Sequence, residues 1–385
     1  LCFKAKTVIS EKIVKSEPEC FLLIIFKFND NCLEIVSDKY LLHLTFQKNI
    51  YMRKFLIPLV SAVLLTSCAT NLSYTGSTFK NSYNSITANE LKTHLHVVAS
   101  DEMQGRDTGS EGQKKAGKYL IGEYEKMGVS HPKSMSSYYQ TVPKEALQGR
   151  RGNLPESENI LAFIEGTEKP EEVIVISAHY DHVGMKDGVI YNGADDDGSG
   201  TVALLEIAEA FQQARKAGKS PKRSVLFLHV TGEEHGLLGS KYYSENPIFP
   251  LSNTVANLNI DMIGRCDKDN CGKDYVYVIG SEMLSSELKK INENANSTNT
   301  KLFLNYKYDD PNDPQRLYYR SDHYNFAKHG IPVAFFFDGI HEDYHQPTDD
   351  PEKIDYSALQ KRAQLVFATA WELANRKDRI VVDKK

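Results

Sequence analysis

Three apolar runs each end in residues suited to binding cations. Val173–Ser177 leads into Ala178-His179-Tyr180-Asp181-His182, Ser224–Val230 into Thr231-Gly232-Glu233-Glu234-His235, and Val255–Ile260 into Asp261-Met262-Ile263-Gly264. Two further segments add to them: Gly193-Ala194-Asp195-Asp196-Asp197-Gly198-Ser199-Gly200 and Tyr344-His345-Gln346-Pro347-Thr348-Asp349. Carboxylates gathered in one place repel one another unless cations neutralise them. Imidazole and carboxylate donors without cysteine suit zinc or a neighbouring first-row divalent metal. The excess of carboxylates fits two metals sharing one bridging carboxylate, with the ions about 3.5–4 Å apart and clamping a water.

Such residues converge only if the chain between them is regular. Strand patterns lie at Ile160–Ile164, Val173–Ser177, Ser224–Val230, Val255–Ile260, Tyr275–Ile279 and Val333–Phe337. Helix patterns alternate with them at Thr201–Ala217, Ser285–Asn296, Asp322–His329 and Tyr356–Arg376. Thr87 with Glu90 makes a capping box for a helix through Ala99, and Ser110–Gly128 reads as a second helix stopped by its glycine. Residues 130–158 read as an irregular connection. Strands apolar on both faces are covered by helices on both sides, so the expected fold class is α/β: a three-layer α/β/α sandwich with a mixed, largely parallel sheet. Ligands in such sheets sit beyond the carboxyl ends of the strands, where the acidic and histidine residues fall.

The segments SDEMQGRDTGSEGQ, HYDHVG, GADDDGSG, TGEEHGLLGS, NIDMIG, SDHYNFAKHGIP and YHQPTDD run in this order from Ser100 to Asp350. In them the chain resembles the dinuclear zinc exopeptidases that include bacterial leucyl aminopeptidases and aminopeptidase Y. That resemblance implies two zinc ions per chain, His179 and Asp261 on one, Glu234 and His345 on the other, and Asp196 bridging them. It implies Glu233 as general base and Asp181 as the residue holding the His179 ring. It implies Tyr344 as a residue steadying the tetrahedral intermediate, and a cis peptide after Asp196. The expected activity is an aminopeptidase acting on peptides with a free N-terminus. The alternatives are a single-zinc enzyme similar to glutaminyl cyclases, or a non-catalytic binding protein of the same fold. Asp197 or Ser199 is expected to cap the helix at Thr201. His182, His235 and His323 are expected to be structural or to stand behind the ligands rather than to bind metal, His229 to be a core histidine, and Asp309–Asp313 to be solvated surface. About 30 residues separate Gly128 from Ile160, too few for the inserted lid domain of some relatives.

The 385 residues carry 46 Lys+Arg against 51 Asp+Glu. This balance gives no basic signal for nucleic acid. With 41% hydrophobic residues the chain is neither disordered nor a polytopic membrane protein. Its six cysteines do not make a disulfide scaffold, although Cys266 and Cys271 can oxidise in an exported protein. Met52-Arg53-Lys54, the apolar Phe55–Leu65 and then Leu65-Thr66-Ser67-Cys68 form a secretory signal. It resembles a bacterial lipoprotein signal, which implies a lipid on Cys68, attachment to a membrane and a place in the cell envelope facing the periplasm or the exterior. The expected divisions are 1–51, an upstream segment outside the natural product; 52–67, the signal; 68–86, a tether; 87–376, a single peptidase domain; and 377–385, a polar tail.

Overall fold

In the computed structural model, described residues are 74, 76–149, 152–310 and 312–384, together with three N-terminal strands. Those strands, β1 (Ile25–Asn29), β2 (Cys32–Ser37) and β3 (Tyr40–Thr45), pair antiparallel in a sheet within the unit Leu1–Thr70. The signal read over residues 52–67, and Cys68, lie outside the described residues.

In the unit Asn71–Lys385, alternation along single strands builds two cores. Ile174, Ile176, Val225 and Phe227 face one side of the main sheet, while Val173, Val175, Leu226 and Leu228 face the other. The first side is covered by the helices Ala88–Val98, Glu111–Met127, Gly200–Lys216 and Tyr356–Asn375, which contribute Leu95, Leu120, Leu204 and Phe367. The second is covered by Leu238–Glu245 and Tyr324–Ala327, through Tyr243 and Phe326. The result is the expected three-layer sandwich.

The sheet is built from β4 (Tyr139–Val142), β7 (Ser157–Ile164), β8 (Lys169–His179), β11 (Arg223–Val230), β12 (Thr254–Ile260), β13 (Tyr275–Ile279), β14 (Phe303–Asn305) and β15 (Val333–Phe337). Their order is β14-β13-β15-β12-β8-β11-β7-β4. The central run β15-β12-β8-β11 is parallel, and β13, β7 and β4 join antiparallel. Hence β8, β11 and β12 all deliver their carboxyl ends to the same edge. Two small hairpins complete the unit: β5–β6 (Gln148–Gly149 with Gly152–Asn153) and β9–β10 (Gly184–Lys186 with Val189–Tyr191).

Some elements differ from the sequence reading. Ser77–Ser85, within the stretch read as tether, is a helix, and Phe79 is buried against Phe367 and Trp371. The connection 130–158 contains the edge strand β4 and the β5–β6 hairpin. The helix expected over Asp322–His329 is only four residues long. In the polar tail, Ile380 is buried and Arg379 donates to the carbonyls of Ser252 and Thr254. Cys266 and Cys271 form a disulfide. Among the described residues no helix is long and apolar enough to cross a membrane.

Candidate metal centre

β8 ends at His179, and the chain then turns across the sheet edge. His179 Nε2 lies 3.2 Å from Asp196 Oδ1 and 3.6 Å from Asp261 Oδ1. On the other side of Asp196, His345 Nε2 is 3.0 Å from Asp196 Oδ2 and 3.1 Å from Glu234 Oε2. The two oxygens of Asp196 therefore face two different donor groups. Burial alone would raise the Asp196 carboxyl, but His179 and His345 hold it well below the usual carboxylate range. His179 Nε2, fully buried, has no hydrogen-bond partner, as expected of a nitrogen aimed at a cation. The donor set, two imidazoles and three carboxylates without sulfur, fits a pair of divalent metals.

Local structure explains this placement. Gly193 and Gly232 adopt left-handed φ of 54° and 68°, which turn the chain at the aspartate loop and after β11. Because β11 stops at Val230, the rule that successive strand side chains oppose each other no longer applies, and both glutamates reach the site. The Asp196–Asp197 peptide is cis, as the resemblance implied. Asp197 is close enough to His179 and Asp261 to join them. Its oxygens, however, accept the amides of His179, Gly200 and Met262. It ties the strand ends to the start of the next helix and leaves the ligand position to Asp196.

Glu233 Oε2 lies 4.0 Å from His179 Nε2, beside both donor groups but outside them. Burial, reinforced by Asp261, Asp322 and Glu234, holds its carboxyl well above the usual range despite the opposing His179. A carboxylate in that state takes a proton readily, although bound cations would oppose the shift.

Asp181 acts differently from the expectation. The His179 Nδ1 partner is the backbone carbonyl of Asp181 at 3.0 Å, while the carboxylate is 3.8 Å away. That carboxylate instead accepts from Thr108 Oγ1 at 2.8 Å and from the Glu233 amide at 3.2 Å. Asp181 thus fixes the imidazole through its main chain and the Glu233 amide through its side chain. Tyr344 stacks on the His345 ring, with centroids 4.0 Å apart, and lines the cleft over the site.

Several supporting residues have no short-range sequence signal. Ser321 Oγ donates to Asp261 Oδ2 at 2.6 Å. Asp349 accepts the amides of Asp195 and Asp196. Asp195 is paired with His341 at 3.1 Å. Arg106, fully buried, donates to the carbonyls of Tyr180, Asn192 and Gly193, and so braces both loops that carry ligands. Asp349 and Arg106 lie inside the quoted motifs, which is the only trace they leave in the sequence.

His235 points to Asp107, and His323 stacks on Phe335. His229 is buried in the core with Nε2 2.7 Å from the Tyr124 hydroxyl. His182 stands apart from these: it is fully buried, and its Nδ1 lies 2.9 Å from Glu234 Oε1. The acidic loop is less solvated than expected. Asp313 is buried and accepts the amides of Gln315 and Leu317, and Asp309 accepts that of Gly280. Leu317 then joins Met262, Phe335, Phe337 and Ile340 in lining an open cleft beside Asp196, Glu233 and Asp261.

A sandwich with carboxylate and imidazole donors gathered at the carboxyl edge of its parallel strands is an α/β fold with a place for a metal or ligand at that edge. Residues 159–370 match the profile of Peptidase family M28, and the chain belongs to that family. A probable leucine aminopeptidase of Arthroderma otae is 31% identical over 223 residues, covering 56% of this chain and 57% of the relative. A probable zinc metalloprotease of Pyricularia oryzae is 29% identical, over 56% of this chain and 50% of that protein. The chain thus spans about half the length of these curated relatives. A zinc aminopeptidase from Bacillus subtilis has the same fold, with a TM-score of 0.58 at 16% identity over 78% of this chain and 99% of that one. So does a glutaminyl cyclase from Porphyromonas gingivalis, with a TM-score of 0.58 at 20% identity over 74% and 97%.

Proposed function

We propose that this chain is a two-zinc aminopeptidase. One observation carries the reading: Asp196 turns one oxygen to His179 and the other to His345, with Asp261 and Glu234 completing the two groups. Bound zinc would polarise the scissile carbonyl and lower the pKa of a bound water. Glu233, held by its amide to Asp181, takes the proton from that water and returns it to the leaving amine. Tyr344 presents its hydroxyl from beside His345. The apolar walls of the cleft, Met262, Leu317, Phe335 and Phe337, receive the side chain of the N-terminal residue.

Fold likeness alone does not separate this reading from a single-zinc cyclase, but a carboxylate facing two imidazole-bearing groups favours two metals. The test is zinc content per chain together with cleavage of leucyl-p-nitroanilide and of its N-acetyl form. Two zincs and cleavage of the free form only are expected. One zinc with cyclisation of N-terminal glutamine overturns the proposal. The envelope placement through a lipid on Cys68 belongs to the same proposal and rests on the basic, apolar and cysteine segments at 52–68.

A further inference from the structure

His182 stands beside Glu234 and Asp196 but has no part in the ligand set above. Its ring is fixed in place. The main-chain amide donates to the Arg106 carbonyl at 3.1 Å. The ring packs so closely on Gly193 that a Cβ there would fall 2.4 Å from its Cγ and Cδ2. It meets the His345 ring edge-on, with centroids 5.8 Å apart.

Nδ1 lies 2.9 Å from Glu234 Oε1 and 3.8 Å from Asp196 Oδ2. Both Nδ1 and Glu234 Oε1 are buried, yet neither makes a hydrogen bond. An imidazole that merely steadied this carboxylate would aim its N–H at the oxygen, because a buried donor left unaligned costs about 1–3 kcal/mol. Two close, buried donor atoms not aligned with each other are instead the arrangement of two ligands facing a third body. His182, Asp196 and Glu234 offer atoms all within 4.8 Å of one another.

We propose that His182 is a further zinc ligand, through Nδ1, at the site formed by Asp196, Glu234 and His345. This rests on the two-metal reading and makes the two sites unequal. The His345 site then has four protein donors, two of them imidazoles. The His179 site has three: His179, Asp196 and Asp261. Four protein donors close a tetrahedral zinc, whereas three leave a position for water or substrate. The His345 site is therefore the tight, holding site, and the His179 site is the exchangeable one that carries the open position.

The experiment is zinc titration of the metal-free full chain against a competing chelator, with X-ray absorption at one equivalent of zinc. Wild type is expected to bind in two steps, and the first zinc to show two imidazoles. In His182→Ala the tight step should weaken by at least about 10-fold while the weaker step is unchanged. A first zinc with a single imidazole in wild type overturns the proposal, whether or not the variant folds. So does an unchanged tight step in His182→Ala. Recovery of the tight step in His182→Gln, whose amide can hydrogen-bond Glu234, also overturns it. Failure of wild type to bind a second zinc would count against the two-metal reading itself, which keeps the two failures distinct.

Discussion

Glu233 and Glu234 are neighbours in sequence but are assigned different tasks, so they should fail differently. Glu233 lies outside both donor groups, and its amide is fixed by Asp181. Glu233→Gln should keep both zincs and lose activity by about 10²–10⁴-fold, or roughly 3–5 kcal/mol of transition-state stabilisation. Glu234 faces His345 at 3.1 Å, so Glu234→Gln should lower zinc content, and excess zinc should partly restore turnover. Metal analysis and kcat measured side by side on the two variants decide this; the opposite pattern would exchange their roles. Ser321 gives a subtler case. Its hydroxyl bonds the Asp261 oxygen not turned toward His179. Ser321→Ala should weaken the His179 site by about 10–100-fold, the usual effect of removing a group behind a metal ligand. A chelator competition that finds both affinities unchanged would refute that role.

At the scale of elements, the helix Ser77–Ser85 is held by one aromatic contact set. Phe79 is 2% exposed and packs on Tyr74, Phe367 and Trp371. Phe79→Ala should lower unfolding stability by about 3–5 kcal/mol, read by denaturant titration, with kcat of the folded protein unchanged. A shift below about 1 kcal/mol would mean the helix is only loosely docked. This helix also shows where sequence reading ran out. Its Ser, Thr and Asn content carries weak intrinsic preference, and the burial of Phe79, with Tyr83 packed beside it, supplies the order. Leu238–Glu245 was likewise hidden, because its residues read as motif and its amphipathic stretch is short. The central strands were legible because they are apolar on both faces. The five candidate donors and Glu233 were legible as a cluster because each follows a strand or opens a loop in a dense motif. Thr108, Ser321, Asp349 and His182 were not, since their roles depend on contacts made across long sequence separations.

For the whole molecule, two buried imidazoles contribute to the response to acid. Burial pushes His229 and His323 down to about 3 from a usual 6.5. The unfolded chain therefore binds protons that the folded chain refuses. Stability is intact above about pH 6.5 and falls as the pH drops toward 3. Each histidine should cost about 2 kcal/mol at pH 5. His229→Phe should flatten the loss between pH 7 and 5 by that amount, whatever its absolute stability after losing the Tyr124 hydrogen bond. Equal pH slopes for variant and wild type would refute the assignment. The proposed lipid on Cys68 is tested separately: Cys68→Ser should move the protein from the membrane fraction to the soluble one or stall its processing.

The docked helix changes what such an anchor would mean. With Tyr74 already packed on Phe79, only residues 69–73 remain between Cys68 and the fold. That stretch spans at most about 20 Å when fully drawn out. An acylated chain would then be a head on a short leash, patrolling a layer a few nanometres deep over the bilayer. The peptides within its range would be those released or displayed at that surface, and lengthening the leash by a few dozen residues would widen its hunting ground without touching a single catalytic group.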